Sequence, residues 1–452
     1  MRSSAPHVPY ATVLAVAQNQ RDVGLVRAIG PWALAASIVN VVVGAGIFVV
    51  PAALAANVGP YAPLAFLACA IAIGAVAICF AEGGSRIPTS GGAYGYVAAA
   101  FGPLAGFVAG TMLWFSNVLA CGGIAAALAD VTVTLLPTTI KSTVHAVVVV
   151  GVVGGVVLVN LGGVARGARL VTATTVLKLI PLGIFVIAGV AAIQRSNFSA
   201  VAPPSTEDLG RALLLALFAF TGMEVSLSAS GEVARPERSI PRALAIAMMS
   251  VTVLYVAIQL IAQGILGPSL AHSKAPLADA MARVSAPLRT LMLVGAATSM
   301  VGWVSSDILG SPRVLFAFAR DGLLPRLLGH VEPRSQTPRA AILCYGTLAI
   351  LLALTGTFVE LAVLSTLGTA VLYIAGCAAA WSLARRGVVS AGPPLNFRWL
   401  PAMAVTGIAS MLMLIALASR AEVLGLLAAL GTAAAVYGLQ ARLRRPRPPP
   451  LA

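Results

Sequence analysis

VVVGAGIFVVP, residues 41–51, lies in the middle of the first long apolar segment of the chain, which extends from about residue 31 to residue 56. Its glycines, Gly44 and Gly46, stand where a membrane-spanning helix should be strongest, and each costs about 1 kcal/mol relative to alanine in a helix interior. A broken helix leaves backbone N–H and C=O groups unpaired, which lipid tolerates only where they face protein or a water-filled cavity. The stretch therefore predicts a candidate ligand site at the bilayer midplane.

Two explanations remain open for these glycines when the stretch is taken alone. In the first, the N–H groups that start the second half-helix, at Gly46, Ile47 and Phe48, point at a ligand with a partial positive charge, and carbonyl groups that end the first half point back. In the second, Gly44 and Gly46 only allow two helices to pack closely, as small residues do in membranes.

The composition is that of a polytopic helical membrane protein. Of the 452 residues, 59% are hydrophobic and 10% are charged, whereas a soluble protein has about 25% charged residues. A spanning helix needs about 20 apolar residues. Twelve segments meet this requirement, approximately residues 31–56, 61–82, 103–128, 143–162, 170–192, 211–231, 242–266, 288–310, 339–357, 360–383, 399–419 and 421–440. The five cysteines all lie inside apolar segments without metal-type spacing, so we expect neither a metal nor another cofactor.

The net charge of +15 would suit a nucleic-acid partner until the charges are placed along the chain. Cations concentrate in alternate connections, including a predicted charged loop at Glu232–Arg242, and this asymmetry follows the positive-inside rule. We therefore expect no nucleic-acid partner, a bacterial-type plasma membrane location and both termini in the cytoplasm. The predicted cytoplasmic ends are the segment 1–29 and the basic, proline-rich tail 442–452, which would lie at the anionic inner leaflet.

The sixth apolar segment is interrupted in the same way as the first. Its centre reads FAFTGME, residues 218–224, and the sixth segment starts on the opposite side of the membrane from the first. Interrupted segments at matching positions of two halves indicate an inverted-repeat transporter. The alternative is an accidental glycine at Gly222, which the intramembrane Glu224 makes less attractive. We predict an all-α fold of 12 transmembrane helices with discontinuous first and sixth helices, five-helix repeats in 30–192 and 208–384, and peripheral helices in 398–441.

Three further polar side chains lie inside apolar segments. Lys178 is near the middle of the fifth, where a lysine costs about 2.5–3.5 kcal/mol and is functional by default. Desolvation disfavours its charged form, so the amine would gain and lose protons; the alternative is snorkelling, which suits helix ends. Asn117 in the third segment is either interhelical glue or a pocket residue. Asp307 in the eighth either pairs with Lys178 or lies in the wetter cytoplasmic third of its helix.

Four stretches resemble the amino acid–polyamine–organocation (APC) transporter superfamily. They are GAGIF at 44–48, AEGGSRIPTSGGAYGY at 81–96, FAFTGMEVSLSASGEVARPERSIPRA at 218–243 and RVLFAFARDGLLP at 313–325. The last two are long and specific, and the resemblance covers roughly residues 25–445. It implies the five-plus-five inverted-repeat (LeuT-type) fold, with the first and sixth helices unwound around a central site.

The resemblance also implies roles for individual residues. Ala45, Gly46 and Ile47 would receive a substrate carboxylate, and carbonyl groups near Val43 and between Phe218 and Thr221 would receive its amino group. Phe218 would cap the substrate as a gate, Glu224 would take part in proton coupling, and Lys178 would replace a sodium ion. The full predicted substrate site is Val43, Gly44, Ala45, Gly46, Ile47, Asn117, Phe218, Ala219, Phe220, Thr221 and Gly222, and the predicted proton-coupling residues are Lys178, Glu224 and Asp307. Some antiporters have tryptophan at the gate, so Phe218 leaves an arginine- or polyamine-type specificity in question.

These features predict a proton-coupled permease for L-amino acids, chiefly neutral ones, that works by alternating access. An exchanger or polyamine antiporter of the same fold remains open, and so does a non-transporting membrane sensor. A membrane enzyme is not favoured, because the sequence has no HExxH motif, no histidine pair and no serine-triad pattern. The expected partners are an amino acid, protons and the lipid bilayer, and the sequence does not predict the oligomeric state.

Overall fold

The fold is built from helices. The computed structural model describes residues 29–44, 46–88, 92–133, 141–199, 202–227, 230–320, 322–332, 334–335, 337–389 and 393–443. The predicted site residue Ala45, nearly all of segment 1–29 and the tail from residue 444 onward lie outside the described residues. Within them, β-structure is limited to two isolated bridges, Ile29–Val233 and Glu332–Thr337.

The α-helices follow the predicted apolar segments closely. In chain order they are α1 (Pro31–Val42), α2 (Val50–Val58), α3 (Ala62–Arg86), α4 (Ala93–Phe101), α5 (Pro103–Val133), α6 (Lys141–Leu161), α7 (Val164–Gly189), α8 (Thr206–Phe220), α9 (Met223–Leu227), α10 (Pro236–Leu266), α11 (Pro276–Ala282), α12 (Ala286–Gly310), α13 (Pro312–Arg320), α14 (Arg339–Thr355), α15 (Phe358–Arg385), α16 (Leu400–Ala416) and α17 (Arg420–Leu443). Within the described ranges, eight helical segments are long and apolar enough to cross a membrane, and four shorter apolar helices accompany them. The all-α membrane class is therefore confirmed for the described residues.

The first apolar segment is interrupted at the glycines. Helix α1 ends at Val42, a short 3-10 turn covers Gly46–Phe48, and α2 starts only at Val50. Beyond α1 the chain tightens, because the N–H of Gly44 bonds to the carbonyl of Val42 at 2.6 Å. The predicted break in the helix is thus present in the structure.

The sixth apolar segment is interrupted at its glycine too. Helix α8 ends at Phe220 and α9 starts at Met223. Between them Gly222 has φ +123°, a conformation that glycine adopts without the steric cost of a Cβ. The two-residue interruption therefore depends on the glycine at this position.

The two interruptions pack against each other. A Cβ placed on Gly222 would lie 3.0 Å from the Cγ1 of Val41, and one placed on Gly46 would lie 3.4 Å from the Cε1 of Phe218. Close packing and helix breaking, which the sequence left as alternatives, therefore occur at the same glycines.

One predicted connection is wrong. Glu232–Arg242 was expected to be a charged loop, but α10 already begins at Pro236. Proline is well tolerated in the first turn of a helix, where its missing N–H would be unpaired anyway. Arg235, with φ +46°, turns the chain into this helix, and the hydroxyl of Ser239 donates to the carbonyl of Ala234 at 2.6 Å.

Candidate functional site

A polar cavity of about 40 Å³ lies beside the two interruptions. A water needs roughly 10–15 Å³ of such volume, so the cavity has room for a few waters and is closed to an amino acid in this conformation. Its lining includes polar side chains from six helices and the α8–α9 interruption, among them Asn40, Asn117, Lys178, Thr221, Glu224 and Asp307.

A second cavity of about 20 Å³ lies at the glycines of the first break, Gly44 and Gly46, and reaches Thr221 of the second. It is lined by Val42, Gly44, Gly46, Ile124, Phe218, Ala219, Thr221 and Trp303. Trp303 and Thr221 also line the larger cavity, so they stand between the two spaces. A Cβ on Gly44 would lie only 2.5 Å from the Cδ1 of Trp303, which places the indole on the broken backbone itself.

Lys178 faces protein and not lipid. It is 3% exposed, and its Nζ donates a hydrogen bond to the carbonyl of Asn40, near the end of α1. Thr174, one turn earlier on α7, is also buried and packs on Gly302, where a Cβ would lie 2.6 Å from the threonine Oγ1. The side chain of Lys178 therefore does not snorkel to a membrane surface. Its amine contacts the backbone beside the break in the first helix.

Two other helices hold the carbonyl groups of the same break. The hydroxyl of Tyr255 on α10 donates to the carbonyl of Val42 at 2.7 Å, and the hydroxyl of Ser299 on α12 donates to the carbonyl of Gly44 at 3.1 Å. Donors from α7, α10 and α12 thus bind three carbonyl groups at or just beyond the end of α1, where the regular helical hydrogen bonds stop; the carbonyl of Val42 also accepts from the N–H of Gly44.

Glu224 ties the second break to α15. The carboxylate is 3% exposed, accepts a hydrogen bond from the hydroxyl of Tyr373 at 2.8 Å, and accepts from the N–H of Gly222 at 3.1 Å. Because Gly222 N–H belongs to the interruption, this acid stabilises the broken conformation as well as lining the cavity.

Asp307 belongs to a separate hydrogen-bond network. It accepts from the hydroxyl of Ser311 at 2.6 Å and from the hydroxyl of Tyr345 on α14. Asn117 on α5 donates to the Ser311 hydroxyl at 2.9 Å, so it is both interhelical glue and part of the cavity wall. Asp307 and Lys178 line one cavity without forming an ion pair in this conformation.

Phe218 closes the smaller cavity on the α8 side. It is 6% exposed and meets the ring of Phe358 nearly edge-on, with ring centroids 5.6 Å apart. The carbonyl of Phe218, one of the predicted acceptors for a substrate amine, already accepts from the Thr221 hydroxyl at 2.7 Å.

The structure brings most of the predicted site together in these two cavities. Gly44, Gly46, Phe218, Ala219 and Thr221 line the smaller one, and Asn117, Lys178, Gly222, Glu224 and Asp307 line the larger. The predicted site residues Val43, Ile47 and Phe220 are buried but line neither of these two cavities. Sequence reasoning did not assign Trp303, Tyr255, Ser299, Tyr345 and Tyr373 to the site, because nothing in the sequence distinguishes them from the other aromatic and polar residues of the apolar helices.

Comparison with known proteins identifies the family. Residues 29–432 match the family model described as amino acid permease. The chain is 26% identical over 385 residues to the branched-chain amino acid permease BcaP of Bacillus subtilis, covering 78% of this chain and 80% of that protein. It is 28% identical over 404 residues to the serine/threonine exchanger SteT of Bacillus subtilis, covering 86% and 91%. It is 31% identical over 417 residues to an uncharacterized transporter of Mycobacterium tuberculosis, covering 89% of each.

The family match spans both interruptions and all the helices that line the two cavities. Together with the apolar helices, it establishes that the chain belongs to the amino acid permease family of the APC superfamily and is an integral membrane transporter of that family.

Proposed function

We propose that this protein is a proton-coupled symporter for neutral L-amino acids that works by alternating access. In this proposal the chain crosses the membrane twelve times as two inverted five-helix repeats followed by two peripheral helices, and both termini are cytoplasmic. The observation that carries the proposal is the buried amine of Lys178 on the carbonyl of Asn40, beside a cavity at two broken helices.

The broken helices suit a zwitterion. The N–H groups of the 3-10 turn Gly46–Phe48 carry a partial positive charge toward a carboxylate, and the carbonyl groups that end α1 carry a partial negative charge toward an ammonium. Gly46 lines the smaller cavity together with Gly44 and Val42. The carboxylate and ammonium groups of a free amino acid would therefore be bound here by backbone groups of the protein, whatever side chain the amino acid has.

The wall of the smaller cavity favours an uncharged side chain. Val42, Ile124, Phe218 and Ala219 contribute apolar surface, and the acids Glu224 and Asp307 lie on the larger cavity instead. The names of two relatives, a branched-chain amino acid permease and a serine/threonine exchanger, both refer to neutral amino acids. We therefore propose neutral amino acids as the substrate class.

Lys178 supplies a reason for proton coupling. A protonated amine holds the Asn40 carbonyl by a charge-assisted hydrogen bond, and a neutral amine holds it more weakly. Proton gain and loss would then change how firmly the end of α1 is fixed, and this would shift the balance between two arrangements of the helix.

The test is uptake by the purified protein in liposomes, with a panel of neutral amino acids and an imposed pH gradient. The proposal expects accumulation when the outside is acidic, and loss of accumulation when a protonophore collapses the gradient. A second candidate is an exchanger, which the name of the SteT relative favours. Uptake that requires amino acid inside the liposomes and ignores the pH gradient would establish exchange and overturn symport.

A further inference from the structure

A cluster of polar residues is buried at the end of α3, away from both cavities. Glu82 and Ser85 are 0% exposed and Arg86 is 4% exposed, and the Nε of Arg86 pairs with the Oε1 of Glu82 at 2.8 Å. Burying an ion pair is costly unless the remaining donors and acceptors are also satisfied. The partners that satisfy them come from far along the chain.

The segment Leu395–Phe397, just before α16, supplies most of these partners. The N–H of Phe397 donates to the Oε2 of Glu82 at 3.0 Å, and the N–H of Leu395 donates to the Oγ of Ser85 at 3.1 Å. An Arg86 terminal nitrogen donates to the side-chain oxygen of Asn396 at 2.7 Å. We call these six residues the polar clamp: Glu82, Ser85, Arg86, Leu395, Asn396 and Phe397.

The clamp also reaches the chain just after α15 and relies on one unusual backbone conformation. The other terminal nitrogen of Arg86 donates to the carbonyl of Val388 at 3.2 Å. Asn396 has φ +48°, which is in the left-handed region that asparagine tolerates better than most residues. The segment is therefore shaped to present a side-chain oxygen and two N–H groups to α3 together.

The same three helices are in close contact within their apolar lengths. A Cβ on Gly376 of α15 would lie 2.5 Å from the Cε2 of Phe80 on α3. A Cβ on Gly407 of α16 would lie 3.1 Å from the Sγ of Cys377 and 3.3 Å from the Cγ2 of Val76. Interiors packed at this density are not continuously deformable, so sliding of one helix past another would require repacking along its length.

We propose that the polar clamp stays closed throughout the transport cycle, so that α3, α15 and α16 move as one rigid unit. This inference rests on the proposed alternating-access function. Opening the clamp would remove the hydrogen bonds that Asn396 and Phe397 supply to the buried Glu82–Arg86 pair, and that penalty opposes any motion which separates α3 from Leu395–Phe397. The motion that exposes the cavity then displaces α1, α8 and α9 relative to this unit. The bonds that join the unit to these helices include Tyr373 to Glu224 on α9, and Cys69 and Thr366 to the carbonyls of Leu213 and Leu214 on α8.

The main test is a reversible crosslink across the clamp. Cysteines replace Ser85 and Leu395 in a chain whose five native cysteines are changed to alanine, and a short thiol crosslinker joins them in the purified full chain. The proposal expects the crosslinked protein to retain amino acid uptake within about twofold of its reduced form. A loss of about tenfold that reductant restores would show that the clamp must open, and would overturn the proposal.

A second measurement does not depend on transport. Arg86→Lys keeps the cation but loses the planar fork that reaches three acceptors at once. Its matched control is Arg385→Lys, at an exposed position at the end of α15. We expect Arg86→Lys to lower the melting temperature by several degrees and Arg385→Lys to leave it unchanged. Equal melting temperatures would overturn the clamp as a stabilising contact.

Failure of the proposed function gives a different result from failure of the clamp. If the reduced double-cysteine protein and the wild-type chain both fail to take up amino acids, the proposed function fails. The clamp is then judged by hydrogen exchange at the Leu395 and Phe397 amides, both donors in the clamp. Slow exchange at both amides supports a permanently closed clamp, and exchange as fast as that of exposed loop amides contradicts it.

Discussion

The Nζ of Lys178 donates a hydrogen bond to the backbone carbonyl of Asn40, a residue 138 positions earlier in the chain. The titratable side chain of Lys178 thus helps to cap the end of α1, the first half of the broken helix. A helix end leaves its last carbonyl groups without helical partners, and here the amine binds the carbonyl of Asn40 while two hydroxyl groups bind the carbonyls of Val42 and Gly44. The charge of one amine therefore acts on the geometry of the break.

Replacement of Lys178 by methionine tests this coupling directly. Lys178→Met keeps the length of the side chain but removes both the proton site and the donor to Asn40. We expect accumulation driven by a pH gradient to fall by about tenfold or more, whereas exchange of amino acid across equilibrated liposomes is reduced far less. Lys141→Met, at an exposed position at the start of α6, is the control. A Lys178→Met protein that still accumulated amino acid on a pH gradient alone would contradict the coupling role.

Removal of the Tyr255 hydroxyl should have a different effect, because this group caps the break without titrating in the physiological range. Tyr255→Phe removes one of the two donors to the buried Val42 carbonyl and leaves the N–H of Gly44 as the other, so the loss is that of one hydrogen bond, about 0.5–1.5 kcal/mol. We expect a lower melting temperature and weaker substrate binding, with the pH dependence of uptake retained. Tyr437→Phe on α17 is the matched control. Wild-type melting and affinity in Tyr255→Phe would show that the carbonyl does not need this donor.

Replacement of Gly44 or Gly222 by alanine should lower the stability of the protein, for a different reason in each case. In Gly44→Ala the new Cβ would meet the Trp303 ring at 2.5 Å, so Trp303→Phe should restore part of the lost stability. In Gly222→Ala most of the cost comes from φ +123°, so Val41→Ala, which relieves the 3.0 Å contact between the new Cβ and the Cγ1 of Val41, should restore little of the lost stability. Melting temperatures of the single and double variants check this. Gly151→Ala, with open space around its Cβ on α6, is the control, and rescue of Gly222→Ala by a smaller neighbour would contradict the strain argument.

Features of the fold and site that depend on local properties of the sequence could be predicted, and features that depend on helix packing could not. The interruptions at Gly44 and Gly222 and the burial of Lys178 were predictable, because backbone propensity and the cost of a charge in lipid are local properties. Tyr255, Ser299 and Trp303 were not, because which side of an apolar helix meets a break depends on the rotation of that helix in the packed bundle. The loop predicted at Glu232–Arg242 was wrong for another reason: a proline such as Pro236 can either end a helix or begin one.

Phe218 should set the affinity of the smaller cavity. Phe218→Ala removes the ring that packs on Gly46 and Phe358, and it leaves unchanged the backbone groups that we propose bind the carboxylate and the amine. We expect the dissociation constant for a neutral amino acid to rise by about tenfold, equivalent to about 1.4 kcal/mol. The measurement is binding by calorimetry in detergent. Phe101→Ala, which alters an exposed ring at the end of α4, is the control, and an unchanged affinity in Phe218→Ala would remove the gate assignment.

Glu224 has two separable roles, and a pair of variants distinguishes them. Glu224→Gln keeps an oxygen that can accept from the Gly222 N–H but removes the titratable group, whereas Tyr373→Phe removes one donor and keeps the carboxylate. If Glu224 takes part in proton coupling, Glu224→Gln should flatten the pH dependence of uptake while substrate affinity changes by less than about threefold. Tyr373→Phe should retain the pH dependence, because the carboxylate remains and still accepts from the N–H of Gly222. A Glu224→Gln protein with the wild-type pH profile would leave this acid with only its structural role at the break.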